Sequence, residues 1–285
     1  MPSLSASRFV LAGLVSALAV ALVRGDAHED YLQEAGRALN GKDARKAVEL
    51  ASKAIEADPK DARGYLYRGI GYGLLRQHDK AIADFTTCIA RDPKLAVAYD
   101  HRGSEQFVLG HIKESLEDFD QFLQLQPKAA PRHWKRGISL YYARRYADGR
   151  KQFKDGDKVF DNDVENAVWH FICNAKLKGI DKAREEILKI GKDDRVPMMV
   201  VYDLFMGKCK PDEVLKAAEA GEVPAPLRKQ QLFYAHLYLG LYYDAKGDKA
   251  KALQHMKLAG GEYRLGYMGD VAHVHAELLE KEAKK

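Results

Sequence analysis

Between residues 62 and 95 the apolar positions recur at intervals of three and four, which is the spacing of one face of a helix. Tyr65, Gly69 and Tyr72 form a first face, Gln77-His78-Asp79 interrupts it with polar residues, and Ala81, Phe85 and Cys88 form a second. The spacing predicts two antiparallel helices joined by a short turn, closed by Pro93, which lacks the amide donor that a further helical turn needs. Small residues at Gly69 and Ala81 stand where the two helices approach most closely.

The same pattern returns at a fixed interval. Pro59, Pro93 and Pro127 stand 34 residues apart, as do Gly69, Gly103 and Gly137, Tyr31, Tyr65 and Tyr99, and Phe85, Phe119 and Phe153. A period of this length predicts an array of helical hairpins, because a single hairpin cannot bury its apolar face without a neighbour. The regular register covers residues 28–163 as four units beginning near His28, Ala62, Ala96 and Ala130. The first has Ala35 and Ala51 in place of Gly and Phe, and the fourth has Gly149 for alanine and Asp161 for proline.

Beyond Asp161 the register blurs. Residues 164–232 read as degenerate helical pairs, with Ala183 in the phase of Ala47 and Ala81, and with Pro211 suited to the first turn of a helix. A recognisable unit returns over 233–262, carried by Leu239-Gly240, Tyr243 and Gly247-Asp248-Lys249-Ala250-Lys251-Ala252. The last segment, 263–285, reads as a helix with Met268, Val271, Val274 and Leu278 on one side and charged residues beside them, a solvating cap for the array.

The N-terminus has a different character. An apolar stretch from Phe9 to Val23 lies between Arg8 and Arg24, and its fifteen residues are fewer than the ~20 of a spanning helix. With small residues at Ala19-Val20-Ala21 and again at Gly25-Asp26-Ala27, residues 1–27 read as a secretory signal cut after Ala21 or Ala27. An uncleaved anchor is the other reading, and only then would the chain touch a membrane. Either way the repeats are expected outside the cytoplasm, and no cysteine follows the stretch to accept a lipid.

Composition narrows the chemistry. The 46 basic residues are nearly balanced by 41 acidic ones, for a net charge of +5, and they are spread along the chain rather than gathered in a stripe, so nucleic acid is not the expected partner. Cys88, Cys173 and Cys209 form no CxxC and read as buried free thiols. His273 and His275 point to different sides of one helix, and His273 with Glu277 is a two-ligand pair without a third, so no metal is expected. The acidic run Asp155-Gly156-Asp157 to Asp163 and Glu165 lacks calcium-loop spacing. No phosphate loop or nucleophile motif is present, so no cofactor and no catalytic residue is assigned.

Tyr65-x-x-Arg68-Gly69-x-x-Tyr72 followed by Ala81-Ile82-x-Asp84-Phe85 resembles the tetratricopeptide repeat, strongly over 30–161. The resemblance implies an all-α, right-handed α-solenoid of antiparallel helix pairs with a C-terminal capping helix, acting as a binding scaffold rather than an enzyme. Arg68 and Asp84, repeated as Arg102 and Asp118, read as braces between the helices of one hairpin, with ligand contact as the rival reading. The resemblance also assigns an inward-facing set: Leu32, Gly36 and Leu39, then Leu66, Ile70 and Leu74, then Asp100, Ser104 and Phe107, and finally Trp134, Ile138 and Tyr141. Such a groove suits a peptide or amphipathic helix of another protein. Trp134 stands either as its anchor or beneath the next hairpin as core. Leu66, Ile70, Asp100 and Ser104 replace the lysine and asparagine pattern that clamps terminal carboxylates, which argues against chaperone C-termini.

The order of export segment, four repeats, degenerate middle and late repeat is similar in layout to bacterial NlpI-type envelope proteins. That likeness implies a periplasmic or envelope adaptor that gathers envelope proteases or cell-wall hydrolases, in some cases as a homodimer. Two other readings stay open: a structural subunit of an envelope assembly, and an enzyme acting on cell-wall material.

Overall fold

The computed structural model describes residues 27–160 and 162–284. The expected export segment and Asp161 lie outside the described residues, apart from Ala27. Among those described, every regular element is helical, and consecutive helices pack as antiparallel pairs, the architecture of a tetratricopeptide solenoid. None of these helices is long and apolar enough to cross a membrane. The chain divides into two compact units, residues 1–106 and 107–285.

In the first unit, α1 runs through 27–40, followed by α2 (Ala44–Ala57), α3 (Ala62–Leu74), α4 (His78–Arg91) and most of α5 (Ala96–Val108), whose last two residues belong to the second unit. The recurring proline acts through the residue before it. Asp58 and Asp92 are driven to extended backbone, φ −139° and −135°, and end α2 and α4 there. The recurring tyrosines close the same corner, since Tyr65 Oη donates to the carbonyl of Pro59 at 3.3 Å and Tyr99 Oη to that of Pro93 at 3.2 Å. Asp61 caps α3 by accepting from the Arg63 amide.

The hairpin brace has the expected form. Arg68 Nε and Nη2 donate to the two oxygens of Asp84, each at 2.8 Å, a fork that only an arginine can supply. The guanidinium also reaches back a fixed distance in sequence: Arg68 to Ser52, Arg102 to Thr86 and, in the second unit, Arg136 to Asp120. Each arginine thereby also ties its helix to the second helix of the preceding repeat. The ligand reading is not needed to explain these residues.

The second unit begins with Phe107 and contains α6 (Ile112–Leu125), a 3₁₀ turn over Pro127–Arg132, α7 (Trp134–Tyr142) and α8 (Tyr146–Gly156). The fourth repeat's first helix starts at Trp134 rather than near Ala130. Pro131 removes an amide and restricts Ala130, so the segment tightens into a 3₁₀ turn and His133 becomes the N-cap, accepting from the Arg136 amide. Gln152 stands in the phase of Asp84 and accepts from Arg136 at 3.2 Å, while Asp120 supplies the charge at 2.6 Å.

The departure at Gly149 also has a cause. A Cβ there would lie 3.0 Å from Cys173 Sγ on the next helix, so even alanine would crowd it. That next helix, α9 (Val164–Lys178), is buried on almost every side through Asn166–Asn174, as a central helix is. The degenerate region continues with α10 (Ile180–Glu185), a single short turn, then α11 (Met198–Met206) and α12 (Pro211–Glu219).

The late repeat is formed by α13 (Ala225–Ala245) and α14 (Lys249–Gly260), so its first helix begins well ahead of Phe233. The final helix, α15 (Gly266–Ala283), caps the array as expected, but it buries far more of itself than a solvating cap would. Val271, Ala272, Val274, His275, Ala276 and Leu279 are all buried, and a Cβ on Gly260 would meet the backbone of His273 at 2.6 Å. The helix is clamped against α14 and completes the core.

Candidate functional site

The two units treat the inward-facing positions differently. In the first, Leu32, Leu66 and Ser104 are buried, which corrects the expectation that they offer contact surface: they have none left to give. Ser104 Oγ donates to the Asp100 carbonyl at 2.8 Å. Ile70 and Asp100 are half-buried, and Leu74, the last residue of α3, is 55% exposed. An exposed leucine at that level beside half-buried Ile70 is an apolar surface the unit leaves open.

In the second unit the inward set does converge, but on the chain itself. Phe107 and Ile138 are fully buried and Tyr141 nearly so. The covering element is α15: Tyr267 sets its ring 5.5 Å from Phe107 and 5.5 Å from Trp134, and Lys135 Nζ lies 5.7 Å over the same tyrosine ring. Farther along, Tyr142 Oη meets His275 Nδ1 at 2.9 Å. These contacts correct the picture of an open aromatic groove here. Aromatic residues attract whatever apolar helix is available, and at a local concentration no partner can match the chain supplies its own. Trp134, only half-buried, is at once core on its Tyr267 side and surface on the other.

Where α15 meets α13, a polar chamber of about 350 Å³ opens. At its floor Asp244 accepts from Tyr141 Oη at 3.2 Å, Lys176 Nζ at 3.1 Å and Lys249 Nζ at 2.5 Å. Burial pushes its carboxyl up, yet these two lysines, joined in acid by protonated His275, outweigh it and hold the group at about 2. His275 goes the other way, because burial lowers it to about 4 despite Asp244 lying 4.0 Å from Nε2. The neutral ring therefore presents Nε2–H toward Asp244 and accepts the Tyr142 hydroxyl at Nδ1. Neither Asp244 nor His275 carried any periodic signal. The clue available in the sequence was the breadth of apolar and small residues on α15, wider than a cap requires.

At the start of α9 a second charged cluster forms. Asp163 caps the helix by accepting from the Glu165 amide, and Arg195 binds Asp163 at 2.9 Å, Asp193 at 2.6 Å and Glu165 at 2.5 Å. Tyr238 Oη donates to the other oxygen of Glu165 at 2.6 Å. Burial raises the Glu165 pKa, opposed by Tyr238 and Arg195. Upstream in the acidic run, Asp155 is paired with Lys151 and Lys158, so lysines take the place a cation would need. His273 and Glu277 form a half-exposed surface pair at 3.4 Å.

The thiols are quiet. Burial pushes Cys88 up to about 12 and Cys209 to about 11, and it raises Cys173 further, so little thiolate forms at neutral pH.

No family model matches the chain, and no curated protein matches it. Solved structures do. A tetratricopeptide repeat protein from Parabacteroides merdae matches over 90% of this chain and 100% of its own, at 16% identity and a TM-score of 0.58. The MamA protein matches over 70% of this chain and 100% of its own, at 16% identity and 0.52. The pilF protein of Pseudomonas aeruginosa matches over 92% and 99%, at 15% identity and 0.50. With the register, the braces and the helix pairs, these similarities define the fold as that of a tetratricopeptide-repeat protein.

Proposed function

We propose that this protein is an exported, non-catalytic scaffold that holds a segment of a partner protein on the open inner face of its N-terminal repeats. The observation that carries the reading is the contrast between Leu74, which is 55% exposed with Ile70 half-exposed beside it, and the aromatic inner face of the second unit, already filled by α15. A solvent-facing leucine at an inward position is a natural anchor for an amphipathic helix or extended peptide. Export is supported by the apolar stretch Phe9–Val23 between Arg8 and Arg24, of signal-peptide length with small residues after it. The partner class we favour is a bacterial envelope protein, such as a protease or a cell-wall hydrolase, in line with the NlpI-type layout.

Two measurements test this. Fractionation with N-terminal sequencing is expected to find a periplasmic protein starting after Ala21 or Ala27; a full-length cytosolic protein contradicts export. Capture from an envelope extract is expected to lose its specific partner when Leu74→Asp replaces wild type, while the variant's melting temperature stays unchanged. Identical capture by both proteins contradicts the binding face.

A further inference from the structure

Beside the N-terminus of α9 the second unit contains a pocket of about 210 Å³, in which the repeat positions Trp134 and Phe153 meet residues outside the regular register. Its walls are aromatic: Trp134, Phe153, Phe160 and Trp169 line it, with Met268 of α15 at one side. Phe153 and Trp169 stack with centroids 6.0 Å apart, and Trp169 is held edge-on by Tyr141 at 5.6 Å, so the wall is rigid. The buried Trp169 Nε1 has no partner and no exposed surface, and therefore does not present a donor to the opening.

The polar groups that do reach the pocket are acceptors. Asp163 spends only Oδ1 on the Glu165 amide and Arg195, leaving Oδ2 without a partner, and its side chain is 30% exposed. Asn166 uses its amide nitrogen on the Phe153 carbonyl and keeps Oδ1 free of any donor. Asp163 and Glu165, both at the pocket, and Asp193 surround the single guanidinium of Arg195, so even with Glu165 protonated the two aspartates outnumber it and the local charge is negative. Aromatic faces, spare acceptors and surplus negative charge call for the same thing: an organic cation carrying N–H donors.

We propose that this pocket binds an alkylammonium or guanidinium group, with its carbon stem against the tryptophans and its N–H bonds to Asp163 and Asn166. A basic side chain of a peptide and a free amine are the two sources of that chemistry. The site is independent of the N-terminal binding face, and either can fail without the other.

Trp134 and Trp169 are the only two tryptophans in the chain and both line this pocket, so fluorescence excited selectively at tryptophan reports on it. Full-length protein is titrated with n-butylammonium chloride, N-acetyl-lysine amide and N-acetyl-arginine amide. The uncharged N-acetyl-norleucine amide and the donor-free tetramethylammonium ion serve as controls. Saturable quenching or enhancement by the N–H cations, at least about tenfold tighter than by either control, is expected. Tighter binding of the amino-acid amides identifies a peptide side chain as the source, and tighter binding of n-butylammonium identifies a free amine. Asp163→Asn keeps an N-cap acceptor while removing the charge, and is expected to weaken binding about tenfold at an unchanged melting temperature. Equal binding of the norleucine control, equal binding by Asp163→Asn, or no saturable change with any cation overturns the proposal.

Discussion

Gly69 lies directly beneath the ring of Phe85. A Cβ added at Gly69 would sit 2.7 Å from Phe85 Cε1, and the same relation recurs between Gly137 and Phe153 at 2.6 Å. In these two hairpins the first helix gives up a side chain so that the second can insert a phenylalanine. Gly69→Ala is therefore expected to destabilise by about 1–3 kcal/mol through overpacking, although alanine is the better helix former. Gly36→Ala is the control, because its Cβ would touch only Tyr67 at 3.9 Å, and it is expected to be neutral or stabilising by up to about 1 kcal/mol. Urea unfolding of the two variants checks both signs.

The brace between Arg68 and Asp84 predicts coupling. Asp84 is 9% exposed and both its oxygens are taken by one guanidinium, so losing either partner strands a largely buried charge. Arg68→Met and Asp84→Asn are each expected to cost about 2 kcal/mol, and the double variant clearly less than the sum. Arg68→Lys restores the charge but not the fork and is expected to recover only part of the loss. Additive costs in the double-mutant cycle would contradict the brace.

These relationships mark what the sequence made legible. The recurrence of Pro59, Pro93 and Pro127 located helix ends because the effect of proline on the preceding residue is local, and Gly69 with Phe85 repeats wherever the hairpin does. Contacts outside the period were hidden. Tyr267 reaches Phe107 and Trp134, and His275 reaches Tyr142, across separations far longer than one repeat, so the same residues that looked like an open groove became core. The substitution at Gly149 became intelligible only when Cys173 was found against it. At Pro131 the sequence was ambiguous, since a proline there suits the first turn of a helix as well as the 3₁₀ turn over Pro127–Arg132 that forms.

Acid should unfold this protein through its histidines. His170, His236 and His275 are buried and held at about 4, in each case chiefly by desolvation, against an ordinary value of 6.5. The unfolded chain takes up protons below pH 6.5 that the folded chain refuses until about pH 4, so stability falls through that window and is fully present above it. Each group contributes on the order of 3 kcal/mol over the full range. A steep loss of melting temperature between pH 7 and pH 4.5 is expected, shallower in His170→Gln. A flat profile would mean that these rings are hydrated in solution.

Phe107 and Leu74 were equivalent candidates as groove residues, and the structure separates them. Phe107→Ala removes a fully buried ring and is expected to cost about 3–5 kcal/mol. Leu74→Ala trims a mostly exposed side chain and is expected to stay within about 0.5 kcal/mol of wild type. Thermal melts of the two proteins, compared side by side, read the difference directly.

The open face of the N-terminal repeats as the working surface is tested most directly by a photo-crosslinking amino acid placed at Leu74 in living cells. Leu227, exposed to 43% in the second unit, takes the same residue as the comparison. A discrete protein adduct from position 74 and none from position 227 is the predicted result. Adducts of equal yield from both positions, or none from position 74 while the partner is present, would contradict it.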